Sequence, residues 1–255
     1  MKQEKIAISI DPLLLKEVEK TIDGTHVRNR SQAIELLVRK ALGGKVATAI
    51  ILAGGRRGEV KAMRLYNGKP VLHRLIEWMS LYGITMFIIA VDKNEKRIRR
   101  YFGDGSHFGV RIFYLLEPVP TGTAGAVHSC RSLVHSDFIV ANCDSIFSLD
   151  IPMMVAYHRR NGKLVTMAVK EHITTSKYGT VEMEGDTVKG FYEKSASAPS
   201  RIINTGLYVM SRESFRYIPS KGMLERDVFP ALAKAGKLGG FVFTSEWKDL
   251  EMQME

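Results

Sequence analysis

From Val46 onward the sequence alternates short apolar, β-branched runs with stretches of helical periodicity. That alternation leaves few folds open, because strands alternating with helices build an α/β domain around a largely parallel sheet. The pattern predicts strands at 46–52, 86–91, 110–116 and 137–142, and further strands at 163–169, 179–183, 188–192 and 206–210. Pro70 opens a helix that runs to about Gly83, 95–102 and 124–133 read as helices, and 223–234 reads as a helix bent at Pro230. With 45% hydrophobic and 25% charged residues in 255, the chain has the balance of a globular protein rather than a disordered or fibrous one. Its apolar runs, such as 87–91 and 49–53, fall far short of the ~20 residues of a spanning helix. Alternation rather than an apolar block follows Met1, so neither a membrane partner nor a signal peptide is expected, and the expected location is cytoplasmic. Cys130 and Cys143 make no disulfide framework and no zinc-site spacing.

The first 43 residues follow different rules. Lys5–Ile10 alternates polar or small residues with isoleucine, the period of a half-buried strand. Asp11-Pro12 ends it with a helix cap, and Leu14, Leu15, Val18 and Ile22 then fall at helical spacing up to Gly24. Ser31 is the expected cap of a second helix, with Ala33, Ile34, Leu37, Val38, Ala41 and Leu42 as its apolar stripe. One strand and two helices of this size cannot bury a sufficient core alone, and a lone strand has two unpaired edges. Pairing with the same strand of a second chain satisfies both, so a homodimer is expected.

This segment resembles the ribbon-helix-helix (Arc/MetJ-like) DNA-binding family over residues 4–42. The resemblance implies double-stranded DNA as a partner, with Ile6, Ile8 and Ile10 in the core and Lys5, Ala7 and Ser9 toward the bases. It also implies a phosphate clamp at Arg28, Arg30 and Ser31, at a helix N-terminus. The net charge of +10 suits a polyanionic partner but does not choose among them, since 1–45 hold nine Lys/Arg against six Asp/Glu and the remainder 28 against 21.

After Gly43-Gly44-Lys45, the loop Leu52-Ala53-Gly54-Gly55-Arg56-Arg57-Gly58 follows the first strand of the α/β part. Its glycines let backbone N–H groups approach phosphate oxygens, although it is neither a dinucleotide fingerprint nor a P-loop. LAGG at 52–55, GKPVL at 68–72, PTGTAGA at 120–126, NCDS at 142–145, YGTV at 178–181, FYEK at 191–194, NTGLYVM at 204–210 and EWKD at 246–249 occur in that order. This series resembles the sugar-1-phosphate nucleotidyltransferases, the NDP-sugar pyrophosphorylases. The fold class expected is therefore α/β: a ribbon-helix-helix module over 1–43, then a Rossmann-like, mixed or mostly parallel nucleotidyltransferase domain over 46–255.

The resemblance implies that a nucleoside triphosphate and a sugar 1-phosphate are exchanged for an NDP-sugar and pyrophosphate. It places Leu52, Gly54, Gly55, Glu117, Gly122 and Thr123 on the nucleotide and Glu193, Lys194 and Asn204 on the sugar phosphate. Asp144 and Asp249 would hold Mg²⁺, with Lys69, Asp144 and Lys194 as the catalytic set. Two departures stand against the family pattern. The run Gly55–Lys61 places no arginine where the family's G-x-G-T-R has one, which leaves Arg57, Lys61 and Arg64 as candidates for the same phosphates, and Glu251 and Met252 replace a Gly-Thr after Asp249. Two functions therefore remain open: an active transferase that also dimerises on DNA, or a DNA-binding transcriptional regulator whose nucleotidyltransferase domain senses a nucleotide or NDP-sugar.

Overall fold

In the computed structural model, residues 7–25, 27–42, 46–54, 61–93, 95–117, 119–195 and 200–250 are described, residues 39–42 by backbone alone. Two helices lead, α1 (Pro12–Glu19) and α2 (Arg30–Leu42). Strand β1 (Thr48–Leu52), a small hairpin of β2 (Leu65–Tyr66) and β3 (Lys69–Pro70), helix α3 (Val71–Leu81), β4 (Met86–Asp92), α4 (Arg97–Phe102) and β5 (Arg111–Glu117) follow. Next come α5 (Gly122–Ser129), β6 (Phe138–Asn142), β7 (Ser145–Phe147), α6 (Ile151–Asn161), β8 (Val165–Glu171), β9 (Thr180–Glu184), β10 (Thr187–Tyr192) and β11 (Ile202–Met210). The described chain closes with α7 (Phe229–Lys234), β12 (Leu238–Val242) and β13 (Trp247–Asp249).

Nine strands form one sheet in the order β5-β4-β1-β6-β11-β8-β12-β10-β9. Strands β5, β4, β1 and β6 pair parallel, β11 runs antiparallel to both β6 and β8, and β12 is again parallel to β8. The mostly parallel sheet expected from the sequence is thus parallel in its first four strands, and antiparallel hairpins build much of the rest. Period-two alternation divides each central strand between two cores. Ala49 and Ile51, Phe87 and Ile89, and Ile139 and Ala141 pack on one face. Ile50, Ile88, Val140 and Tyr208 pack on the other. Fully burying each large side chain contributes about 1.5–3 kcal/mol, so both faces must be covered.

Several expected boundaries move for physical reasons. The helix expected over 124–133 starts earlier and ends at Ser129. The one expected over 223–234 splits into a π-helical turn at Leu224–Val228 and α7, because Pro230 has no N–H to continue the α-helical ladder. Six elements escaped the pattern: the short strands β2, β3, β7 and β13, then β12, whose Gly239 and Gly240 hide its alternation, and α6, which Asp150 caps through Met153 N (2.8 Å).

The N-terminal helices differ from expectation more. Asp11 caps α1 as expected, accepting from Leu13 N at 2.8 Å. Asn29, not Ser31, caps α2, accepting from Gln32 N at 3.0 Å, while Ser31 lies inside the helix. Residues 7–10 form no strand, and Ile8, expected in the core, is 54% exposed. A single chain supplies no partner for that strand. Val18, Val27, Ala33 and Leu36 make a small core of their own, packed against Leu81 and Tyr82 at the end of α3.

At the start of α5 the backbone approaches the 219–223 loop so closely that a Cβ on Gly122 would collide with the Gly222 carbonyl. Gly122 also has φ +82°, a conformation costly for other residues. Gly122→Ala is expected to lower stability by about 1–3 kcal/mol in urea unfolding; an unchanged midpoint would show that this contact does not hold the loop.

Candidate functional site

The carboxyl ends of β1, β4, β5 and β6 point to one edge of the sheet. The chain passes from β1 outward to β4 and β5, then returns to β6 on the other side of β1. In open α/β sheets ligands gather at such a reversal. Gly54 follows β1 there, and a Cβ at this position would stand 3.0 Å from Glu117 Oε2. Glu117, the last residue of β5, accepts from the Thr121 hydroxyl at 2.6 Å. Thr123 is engaged by the chain itself: its hydroxyl donates to Glu225 Oε2 (2.8 Å) and accepts from Leu224 N (2.8 Å). Leu52 is half-buried, packed on the core, and Gly55 lies outside the described residues.

Beside this group lies a cleft of about 230 Å³ that holds Asp144, Asp249, Glu193, Lys194 and Asn204 together. Asp144 follows β6, and β13 pairs antiparallel with β7 so that Asp249 stands opposite Ser145. Leu250 N also donates to the Asp144 carbonyl (3.0 Å), which ties the two carboxylate-bearing segments to each other. Asp249 is therefore a strand residue in the cleft rather than part of a loose tail. Lys61 Nζ lies 3.2 Å from Asp144 Oδ2.

Lys69 does not reach the cleft. Its ammonium is 2.6 Å from Glu77 Oε1 on α3. Burial raises the Glu77 carboxyl, but hydrogen bonds from Lys69 and His73 outweigh it and hold the pKa below the usual carboxylate range. The lysine that enters the site from this region is Lys61. Arg64, nearby, bonds the Leu250 carbonyl.

Asn204 is also committed internally: its amide donates to the Tyr208 hydroxyl (2.8 Å) and its carbonyl oxygen accepts from Gly206 N (3.0 Å). It stabilises the irregular pairing of β11 with β8 that lets this strand bend into the cleft. Lys194 has φ +47° although it is not glycine, and its N–H donates to the Tyr178 carbonyl at 3.2 Å. A left-handed lysine costs about 1–2 kcal/mol, strain of the kind that collects where a side chain must be aimed. Glu193 is half-buried; burial and the charge of Glu225 raise its pKa, while Lys194 and Arg226 pull it down.

Three cleft residues belong to none of the motifs and were not among the expected site residues: Lys177, Met223 and Glu225. Tyr178 and Trp247 stand inside quoted motifs, whereas Glu225 is delivered by the π-helical turn, which local pattern does not reveal. The rings of Tyr178 and Trp247 meet edge to face at 5.6 Å, and the buried Trp247 indole N–H has no hydrogen-bond partner among the described residues.

Residues 48–250 match the nucleotidyl transferase family. The chain belongs to that family. It is 31% identical over 216 residues to a mannose-1-phosphate guanylyltransferase of Mycobacterium tuberculosis, covering 79% of this chain and 60% of that protein. A D-glycero-alpha-D-manno-heptose 1-phosphate guanylyltransferase of Campylobacter jejuni is 29% identical, covering 66% of this chain and 77% of its own length. Among solved structures, HddC from Yersinia pseudotuberculosis superposes with TM-score 0.70 at 25% identity, over 81% of this chain and 95% of that one. This nucleotidyl transferase family member thus spans about 60% of the length of the mannose-1-phosphate guanylyltransferases it matches. The family match begins at residue 48 and leaves the two N-terminal helices outside it. No helix of the described residues is long and apolar enough to cross a membrane.

The raised pKa of Glu193 sets a test of the site's electrostatics. A carboxyl whose folded pKa exceeds its unfolded value binds more protons folded, so its contribution to stability falls as pH rises through that window. Glu193→Gln is expected to match the wild type in melting temperature near pH 4 and exceed it near pH 8. A variant less stable at pH 8 would contradict the burial account.

Proposed function

We propose that this chain transfers a nucleotidyl group from a nucleoside triphosphate to a sugar 1-phosphate and releases pyrophosphate. A phosphate oxygen of the sugar 1-phosphate attacks the α-phosphorus, the bond from that phosphorus to the bridging oxygen breaks, and pyrophosphate leaves with the electron pair. The reading is carried by the Lys61–Asp144 pair, set in the same cleft as Asp249, Glu193 and Lys194. Those groups suit a reaction in which the protein mainly positions two anions and neutralises developing charge. In this reading Leu52, Gly54, Gly55, Glu117, Gly122 and Thr123 line the nucleotide. Glu193 and Lys194 meet the sugar phosphate, and Asn204 shapes the strand beneath it. Lys61, one of the three cations the sequence offered in place of the family's arginine, supplies positive charge at Asp144, while Lys69 of the expected catalytic set is held by Glu77.

Mg²⁺ suits the donor set. It takes one or two carboxylates and completes its shell with water and phosphate oxygens, and Asp144 and Asp249 offer that arrangement. Among the described residues no cluster of three or more His, Cys, Asp or Glu forms an all-protein cage. Bound there, the ion would neutralise charge on the triphosphate.

The guanylyltransferase relatives favour GTP as donor and mannose 1-phosphate or a manno-heptose 1-phosphate as acceptor. Pyrophosphate release from those pairs with Mg²⁺ is the test. Lys61→Ala is expected to lower kcat/KM by about 10²–10³-fold, while Lys69→Ala stays close to wild type. A larger loss in Lys69→Ala would overturn the assignment of the two lysines. Nucleotide binding with no pyrophosphate from any NTP and sugar phosphate would identify a sensor instead.

One observation favours an addition at the N-terminus. Leu13 and Leu14 of α1 and Val38 of α2 are 73%, 58% and 48% exposed, and Ile8 is exposed as well. We propose that residues 1–43 pair with a second copy as a ribbon-helix-helix unit, meeting DNA through Lys5, Ala7, Ser9, Arg28, Arg30 and Ser31. Lys5 lies outside the described residues, and within one chain Arg30 Nε donates to Glu19 (2.7 Å) and Arg28 Nε to the Thr25 carbonyl (3.1 Å), so DNA must compete for both. Light scattering should give a dimer for the full chain and a monomer for Leu13→Asp/Leu14→Asp; a monomeric wild type would end this reading.

A further inference from the structure

The segment joining β4 to β5 carries charge that the cleft does not use. Between Lys93 and Arg111 stand six Lys/Arg against two Asp/Glu, +4 of the chain's +10. Both acids accept backbone N–H groups of the chain, and Asp104 lines the same groove as Lys96, Arg99 and Arg100, three cations that outnumber it. Glu95 is buried and accepts from Ile98 N at 2.7 Å, and Asp104 accepts from Ser106 N at 3.0 Å. Lys96, Arg99 and Arg100 fall at i, i+3 and i+4, so they share one side of the α4 segment. They border an open groove of about 490 Å³ whose floor is Ile112 and Tyr114 of β5, the outermost strand.

The groove is built rather than merely charged. The Tyr114 hydroxyl donates to the Gly103 carbonyl at 2.7 Å, which fixes its ring, and the Arg99 guanidinium lies 6.0 Å over that ring. Arg99 thus lies against an aromatic face at the groove's edge. None of Lys96, Arg99 and Arg100 has a carboxylate partner within 4.0 Å among the described residues. Small ligands need concave sites that bury most of their surface, and this groove is open to solvent. A polymer of phosphates gains affinity from several exposed cations in a row without being enclosed.

We propose that this groove binds the phosphodiester backbone of a nucleic acid, with Lys96, Arg99 and Arg100 on its phosphates. The assignment depends neither on the transferase reading nor on the N-terminal helices, since no groove residue belongs to either.

Fluorescence anisotropy of labelled single-stranded and duplex oligonucleotides with the full chain, across a salt series, tests it. Each phosphate neutralised adds about −0.9 to the log–log salt slope for duplex and about −0.7 for single strands, so Lys96→Ala/Arg99→Ala/Arg100→Ala should make the slope shallower by roughly 2–3. Affinity at low salt should fall about tenfold or more. Arg99→Lys/Arg100→Lys should keep the slope, because the charge is retained. Should the triple variant fail to fold, Arg100→Glu alone must make the slope shallower. The same losses measured in an Arg28→Ala/Arg30→Ala background separate the groove from the N-terminal helices. No binding by the wild type, an unchanged slope in the variants, displacement by an equimolar nucleoside triphosphate, or tighter binding to phosphatidylserine vesicles would each overturn the proposal.

Discussion

The candidate site depends on the point where β6 ends. This strand pairs parallel with β1 on one side and antiparallel with β11 on the other, so its carboxyl end marks the change in direction of the whole sheet. The chain leaves it through Cys143, whose thiol is buried and pushed well above its ordinary pKa by that burial, with Asp144 adding to the rise. Cys143 therefore fills space and does no nucleophilic chemistry. Asp144 emerges next, and the β7–β13 pairing brings Asp249 alongside from 105 residues further on. Without that short antiparallel pair, the second carboxylate would have no fixed place.

Charge and strain within the cleft are arranged for ligands at some cost to the fold. Burial of Glu193 raises its pKa, and the charge of Glu225 adds to the rise. Lys194 keeps a left-handed backbone that glycine would adopt more easily. Thr123 links the two halves, since its hydroxyl joins the turn beside Glu117 to Glu225 of the cleft. That contact means Gly122 and Thr123 work first as structure: they lock α5 onto the 219–225 segment, and any role at a nucleotide is added to that one.

Much of the sheet could be read from the chain, because β-branched runs such as Thr48–Leu52 and Met86–Asp92 have no stable alternative to a buried strand. The order of spaced motifs was equally legible, and it led to Asp144, Asp249 and Glu193, which the structure gathers in one cleft. The sequence offered both Lys61 and Lys69, and what it could not tell was which of them turns into the cleft. Lys61 and Lys69 stand eight residues apart in similar company, and the choice rests on Glu77 of α3, which takes Lys69 away. Glu225 was hidden for another reason: a π-helical turn before Pro230 sets its direction, and that geometry has no local sequence signature. At the N-terminus the two helices were legible, whereas the described part of the expected strand, residues 7–10, has no regular structure.

We propose that Asp144 and Asp249, tied together by the β7–β13 pair, would hold a divalent cation that binds a triphosphate together with Lys61. Calorimetric titration of GTP into the full chain, with Mg²⁺ and with EDTA in its place, addresses that claim most directly. Binding that requires Mg²⁺ in the wild type and loses that requirement, together with most of its affinity, in Asp249→Asn is the expected result. Equal affinity with and without Mg²⁺, or an Asp249→Asn variant that binds as the wild type does, would contradict it.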